Sequence, residues 1–161
     1  MEKQKVYIET SVISYLTAKP SRDIIIAGHQ QTTYDWWHKT RHQFDCFISE
    51  FVIDEINLGD KEAAEKRIKA VNDFRYLEFK PEVEQLGIEY FRLFNIPEKS
   101  KLDALHLAIA VWYKIDYLLS WNCKHIANAY VNLRLREYND KNNLHSPILC
   151  TPDELMEVNY V

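Results

Sequence analysis

The sequence predicts an α/β fold: a mostly parallel sheet of four to five strands flanked by helices. Three observations carry this expectation. Strand-like and helix-like segments alternate from one end of the chain to the other. Two strands stop abruptly at polar residues placed at strand-to-helix junctions, Glu9-Thr10-Ser11 and Ser120-Trp121-Asn122. One helical run, Lys101–Ala110 continuing through Val111 and Trp112, is apolar on nearly every side and belongs in the interior.

The elements follow in order. Lys5–Ile8 reads as the first strand, and Thr10 or Ser11 is suited to cap a helix through Val12, Ile13, Tyr15 and Leu16 that ends before Pro20. Ser21–Gln43 reads as helical, with Ile24, Ile25, Tyr34, Trp36 and Trp37 available for packing and Gly28 as a weak point. His38 and His42 lie one helical turn apart, a spacing that can bind a metal. With Lys39 and Arg41 interleaved and no third ligand, they read instead as a solvated face. Phe44–Ile48 alternates as a second strand, after which Ser49 caps a helix carrying Phe51, Val52, Ile53 and Ile56 and ending at Gly59. Asp60 caps the charged helix that follows.

Tyr76–Phe79 is a third strand, and Pro81 opens a helix to about Phe94. A loop broken by Pro97 leads into the apolar helix at Lys101. Asp116–Ser120 is a fourth strand, followed by a helix over Lys124–Tyr138 on the repeat of Ile126, Ala127, Tyr130 and Leu133. Pro147–Cys150 is a fifth strand, and Thr151-Pro152-Asp153-Glu154 has the form of a capping box. No repeat, linker or low-complexity segment interrupts this order, so residues 1–161 are expected to form one domain.

Composition narrows the function classes. With 47% hydrophobic and 27% charged residues the chain reads as a soluble globular protein. Its three cysteines, Cys46, Cys123 and Cys150, lack paired ligand spacing, which argues against a disulfide framework or a zinc ribbon and fits a reducing cytoplasm. The sequence holds no apolar segment long enough to cross a bilayer and no signal-peptide pattern. A net charge of −4 counts against a stand-alone nucleic-acid binder. It is compatible with an enzyme whose acids hold metal ions, because the ions change the local charge.

Four polar residues stand in comparable places. Glu9 and Asn122 follow strands, Asp103 lies in the first turn of the apolar helix, and Glu55 lies on the helix after the second strand. If the first and fourth strands are neighbours, their carboxyl ends bring Glu9 and Asn122 together, which is where parallel sheets bind ligands. Carboxylates gathered in one cleft raise one another's pKa unless a cation joins them. Oxygen ligands of this kind suit Mg²⁺ or Mn²⁺, which activate water for phosphodiester cleavage. His106, one turn after Asp103 on the same side, reads either as a proton-shuttling or phosphate-polarising group or as a hydrogen-bonded core residue, the latter favoured. Lys99, Lys101, Lys124 and His125 are near the acids in sequence and can contact an RNA backbone, with solvated side chains as the default. Trp121 is placed to stack on a base.

The chain resembles PIN-domain proteins of the VapC-like toxin type. The resemblance rests on V-Y-I-E-T-S at Val6–Ser11, S-E-F-V-I-D-E-I-N-L-G at Ser49–Gly59, D-A-L-H-L-A-I-A at Asp103–Ala110 and L-L-S-W-N at Leu118–Asn122, in that order. It implies a three-layer PIN-like sandwich and a Mg²⁺- or Mn²⁺-dependent endoribonuclease, often a homodimer held inactive by a small antitoxin protein. It assigns Glu9, Glu55, Asp103 and Asn122 to the catalytic, metal-holding set, with Thr10, Ser11 and Ser120 beside them. The chain departs from the pattern twice. Glu9 stands where Asp is typical, a side chain longer by roughly 1.5 Å, and Asn122 stands where Asp is often found, so it brings no charge. Three carboxylates remain, enough for one ion. Two other readings stay open: a weakened PIN-like domain that binds RNA or protein, and a small-molecule phosphatase sharing the metal site.

Overall fold

The computed structural model describes residues 2–156, so the single domain expected over residues 1–161 extends past the described residues at both ends. Five strands form one fully parallel sheet: β1 (Lys5–Ile8), β2 (Asp45–Ser49), β3 (Arg75–Leu77), β4 (Tyr117–Leu119) and β5 (Ile148–Cys150). Their spatial order is β3-β2-β1-β4-β5. Among the described residues seven α-helices flank the sheet: α1 (Thr10–Thr17), α2 (Ile24–Asp35), α3 (Glu50–Ile56), α4 (Lys61–Ala70), α5 (Pro81–Leu93), α6 (Lys101–Trp112) and α7 (Ala129–Lys141). Consecutive residues of the central strands are buried alike: Val6, Tyr7, Ile8, Leu118 and Leu119 are inaccessible to solvent. Side chains on a strand point alternately to its two faces, so helices must cover both faces of the sheet.

The strand order matters for function. From β1 the chain proceeds outward through β2 to β3, then returns to place β4 on the other side of β1. The β1–β4 boundary is therefore the switch point of the sheet, where a crevice opens beyond the carboxyl ends of the strands. Ile8 pairs with Leu119, and the Glu9 amide donates to the Leu119 carbonyl at 3.0 Å. Glu9 and Ser120 are thus the first residues past the sheet on adjoining strands.

Several local expectations need correction. The α1 N-cap is Glu9 rather than Thr10 or Ser11; Glu9 is extended, and its Oε2 accepts the Ser11 amide at 2.7 Å. The helix expected over Ser21–Gln43 begins at Ile24, capped by Asp23, and its last part is wound differently. Trp36–Thr40 form a π-helical turn, with the Arg41 amide bonded to the Trp36 carbonyl, and Arg41–Gln43 a 3₁₀ turn. Trp36 and Trp37 are buried as expected, whereas Ile24 and Ile25 at the start of α2 and Tyr34 near its end are exposed.

The helix expected from Lys124 begins at Ala129. Before it, the Asn122 carbonyl accepts the amides of Ile126 and Ala127, and the chain turns until Asn128 caps α7 through the Val131 amide at 2.8 Å. Ile126 and Ala127 are buried from this turn, while Tyr130 and Leu133 are exposed; Val131 and Leu135 form the buried face of α7. The Thr151–Glu154 capping box is present, but the helix it opens is a short 3₁₀ segment. Strand ends differ from expectation by one or two residues, the usual uncertainty of strand ends. Gly59 ends the α3 segment with φ of +82°, a conformation that favours glycine.

α6 lies inside the molecule, with Ala104 and every residue from His106 to Val111 buried. Its neighbour α5 approaches closely at Gly87, where a Cβ would fall 2.6 Å from Leu105 Cδ2. The packing of this apolar helix carries Asp103 to the edge of the core, at the crevice.

Candidate active site

The site is built from three linked groups of side chains. In the first, Glu9 accepts the Ser11 amide at 2.7 Å and the Ser120 hydroxyl at 3.2 Å, both on Oε2. Ser120 Oγ also accepts the Asn122 amide at 2.9 Å, and Ser11 Oγ accepts the Trp121 amide at 2.8 Å. These bonds tie the end of β4 to the start of α1. Glu9 is only 5% exposed, and burial pushes its carboxyl above the ordinary carboxylate range against the pull of His106 and Ser11.

The second group centres on Glu55. Its Oε1 accepts the Thr10 hydroxyl at 2.8 Å and lies 2.7 Å from His106 Nε2. The other ring nitrogen, Nδ1, is 2.7 Å from the Tyr7 hydroxyl, which is itself 2.7 Å from Ser49 Oγ. Burial alone would raise the Glu55 pKa, but the bonds and charge of His106, with the Thr10 bond, outweigh it and hold the carboxyl below its ordinary value. Burial likewise works to lower the His106 pKa, and the Glu55 bond and charge, with Glu9 and Asp103 further off, turn it upward. Burial drives the Tyr7 phenol well above its ordinary value. The structure bears out His106 as a hydrogen-bonded core residue; it is 1% exposed.

The third group lies at the rim. Asp103 Oδ2 is 2.7 Å from His125 Nδ1, and both side chains keep about one-sixth of their exposure, 16% and 17%. Asn122 Oδ1 accepts the His125 amide at 3.1 Å, so the expected fourth ligand serves first to shape the turn that presents His125.

Of the three acids only Glu55 contacts His106; the charges of Glu9 and Asp103 reach the imidazole from further off. Thr10, Ser11 and Ser120 stand among them as expected. Lys101 and Lys124 are exposed and, among the described residues, make no hydrogen bond or ion pair to the acids. Lys101 instead borders a cavity of about 440 Å³ between α5 and α6, beside Phe79, Phe91 and Leu105. The Trp121 ring stacks on His29 at 4.1 Å, takes Tyr15 edge-on, and donates its indole N–H to Thr33 Oγ1 at 2.7 Å. Its described contacts are within the protein, and they anchor the segment that carries Asn122.

Two residues of this site were not singled out from sequence as partners of the acids. Tyr7 sits inside an apolar strand and reads as core; the one available signal was a phenol in a stretch where phenylalanine would pack as well. The periodicity puts His125 on a helix, where it is one of the residues that can contact an RNA backbone; in the structure it lies in a turn and pairs with Asp103.

The donor chemistry of the three carboxylates fits a hard divalent cation, since every offered ligand atom is oxygen. The arrangement is less complete. Among the described residues no group of three or more His, Cys, Asp or Glu side chains is assembled to hold an ion. Each carboxylate rests on a protein partner, through Glu9 Oε2, Glu55 Oε1 and Asp103 Oδ2.

Comparison with known proteins adds a fold-level finding. No family model and no curated protein matches the sequence. Among solved structures, the chain is similar to Mycobacterium tuberculosis VapC20, a sarcin-ricin loop cleaving toxin, with a TM-score of 0.58 and 16% identity over 74% of this chain and 92% of that one. The fold is therefore α/β of the kind VapC20 has.

Proposed function

We propose that this chain is a divalent-metal-dependent endoribonuclease of the PIN-domain, VapC-like type. The observation that carries the reading is how the fold links three acids beside the β1–β4 switch point: Glu9 follows β1, Glu55 accepts the hydroxyl of the adjoining Thr10, and Asp103 stands in the first turn of the helix whose His106 bonds Glu55. The likeness of the fold to a toxin that cleaves RNA supports it. Glu9, Glu55 and Asp103 would hold Mg²⁺ or Mn²⁺, with Asn122 beside them. When bound, such an ion supplies Lewis-acid stabilisation to phosphodiester hydrolysis. The chain's own contribution is placement. Ser11 and Ser120 fix Glu9, Thr10 and His106 fix Glu55, and the Trp121 anchor fixes the segment presenting Asn122 and His125. The partners that go with this reading are an RNA substrate, a small antitoxin protein and a second copy of the chain, and the place of action is the cytoplasm. No helix of the described residues is long and apolar enough to cross a membrane.

The test is cleavage of a mixed RNA pool by purified protein with Mg²⁺, with Mn²⁺ and with chelator, alongside Asp103→Asn. Cleavage is expected to require the metal and to disappear in Asp103→Asn without change in thermal stability. Metal-dependent cleavage retained by that variant would sink the assignment.

One observation favours a second reading, a PIN-like module that binds RNA or protein without cutting. The acids are satisfied by protein partners rather than assembled for an ion. Calorimetric titration with Mn²⁺ separates the two, because a binding module needs no affinity for the metal.

A further inference from the structure

We propose that Tyr7 and His106 are positioning residues that set the Glu55 carboxylate, acting through a closed ring of hydrogen bonds around α3. The inference rests on the ribonuclease reading above. Ser49 caps α3, its Oγ accepting the Val52 amide at 3.5 Å. The same Oγ contacts the Tyr7 hydroxyl at 2.7 Å, Tyr7 contacts His106 Nδ1 at 2.7 Å, and His106 Nε2 contacts Glu55 Oε1 at 2.7 Å. Glu55 lies on α3 itself, so the ring leaves the helix at its N-cap and returns to it at the residue with the proposed function. A helix gripped at both points can neither slide nor turn without breaking a buried bond.

Away from α3 and its cap, the ring runs through two elements: Tyr7 belongs to the central strand and His106 to the central helix. Thr10, at the start of α1, lies outside the ring and is the second donor to Glu55 Oε1. Packing holds the imidazole as well: it meets the Phe51 ring edge-on at 6.3 Å and the Tyr7 ring at 5.8 Å. The chain of bonds closes with a proton on His106 Nε2 for the Glu55 carboxylate, and Nδ1 can then accept from the phenol or donate to it, because a phenol and a hydroxyl each donate and accept.

Burial distinguishes this role from direct participation. Ser49 and Tyr7 are inaccessible and His106 is 1% exposed, so none of them reaches a substrate. The Glu55 side chain keeps 26% of its exposure and does reach the crevice. The described bonds to it use only Oε1, leaving Oε2 outside the ring. Buried partners that orient a functional carboxylate in this way typically change affinity or activity by about 10–100-fold when lost.

The experiment compares the wild type with Tyr7→Phe, His106→Leu and His106→Gln in two measurements: Mn²⁺ affinity by calorimetry on metal-stripped protein, and kcat and KM for RNA cleavage. Tyr7→Phe keeps the ring volume, and His106→Gln keeps an N–H donor for Glu55, so both remain interpretable should His106→Leu fail to fold. Tyr7→Phe is expected to weaken Mn²⁺ binding and lower kcat by about tenfold or more while KM moves less than about twofold. His106→Gln should retain more of both than His106→Leu does. Folded variants with wild-type Mn²⁺ affinity and kcat overturn the positioning role while the ribonuclease reading stands. Wild-type protein that neither binds Mn²⁺ nor cleaves RNA overturns both.

Discussion

The site contains two acid–histidine pairs of equal length and opposite setting. Glu55 and His106 meet at 2.7 Å with the imidazole buried on helix α6 and a second bond behind it to Tyr7, while the Glu55 side chain keeps 26% exposure. Asp103 and His125 also meet at 2.7 Å, but at the rim, and His125 lies in an irregular turn held by Asn122. The inner pair is fixed by secondary structure on every side. The outer pair has one anchored member, since Asp103 starts α6 while its partner depends on a loop. The inner imidazole is bonded on both sides by buried or structured partners, whereas the outer one is held in a loop, so the two pairs are expected to respond differently to substitution.

Stability should show the largest contrast. His106→Leu takes one of its two bonds from the buried Tyr7 hydroxyl and one of its two donors from Glu55 Oε1, and is expected to cost about 2–4 kcal/mol. His125→Ala releases Asp103 toward solvent, and its cost should be about 1 kcal/mol or less. Urea unfolding of both variants checks this, and equal losses would break the division into inner and outer pairs.

The pH dependence sharpens the same contrast. The folded Glu55 pKa lies below its ordinary 4.5, so its contribution is complete above that value and is lost as pH falls through the folded pKa. The folded His106 pKa lies above its ordinary 6.5, so its contribution is complete below that value and is lost as pH rises through the folded pKa. Both contributions are complete between 4.5 and 6.5. The stability gap between wild type and His106→Gln should be widest in that window and shrink on either side. Unfolding free energies measured across pH 3–9 test it, and a gap that is flat over that range would refute the ion-pair account.

These pairs also mark what the sequence disclosed. Helix α6 was legible because its apolar residues cover nearly every face, and Asp103 came with it as a first-turn acid. Glu9 was legible because an apolar strand ends on it. The adjacency of β1 and β4 enters the sequence reading only as a condition, and the structure supplies it. The inner ring was not legible, because Tyr7 lies 42 residues from Ser49 and 99 from His106. Its bonds depend on a strand order that local patterns do not determine. His125 was misplaced for a different reason. Ile126 and Ala127 repeat in step with the apolar residues of α7, so periodicity ran the helix backward through a turn; the strong N-cap at Asn128 begins it later.

The smallest expected effect separates the two settings by thiol chemistry. Cys150 lies on β5 and is buried, Cys46 lies on β2 and is half-buried, and Cys123 is exposed in the turn that carries His125. Burial pushes the Cys46 and Cys150 thiols up to about 12, and the nearby carboxylates Glu154 and Asp153 add to the rise at Cys150. Cys123 is also raised, first by partial burial and then by the same two carboxylates, but it remains open to reagent. A maleimide at neutral pH should therefore label Cys123 first, and the other two only after denaturant is added. Mass spectrometry of the labelled peptides gives the order. Prompt labelling of Cys46 in the native protein would mean that the start of β2 opens readily. Glu55 would then lose its rigid setting, since β2 carries Ser49, the cap from which the inner ring starts.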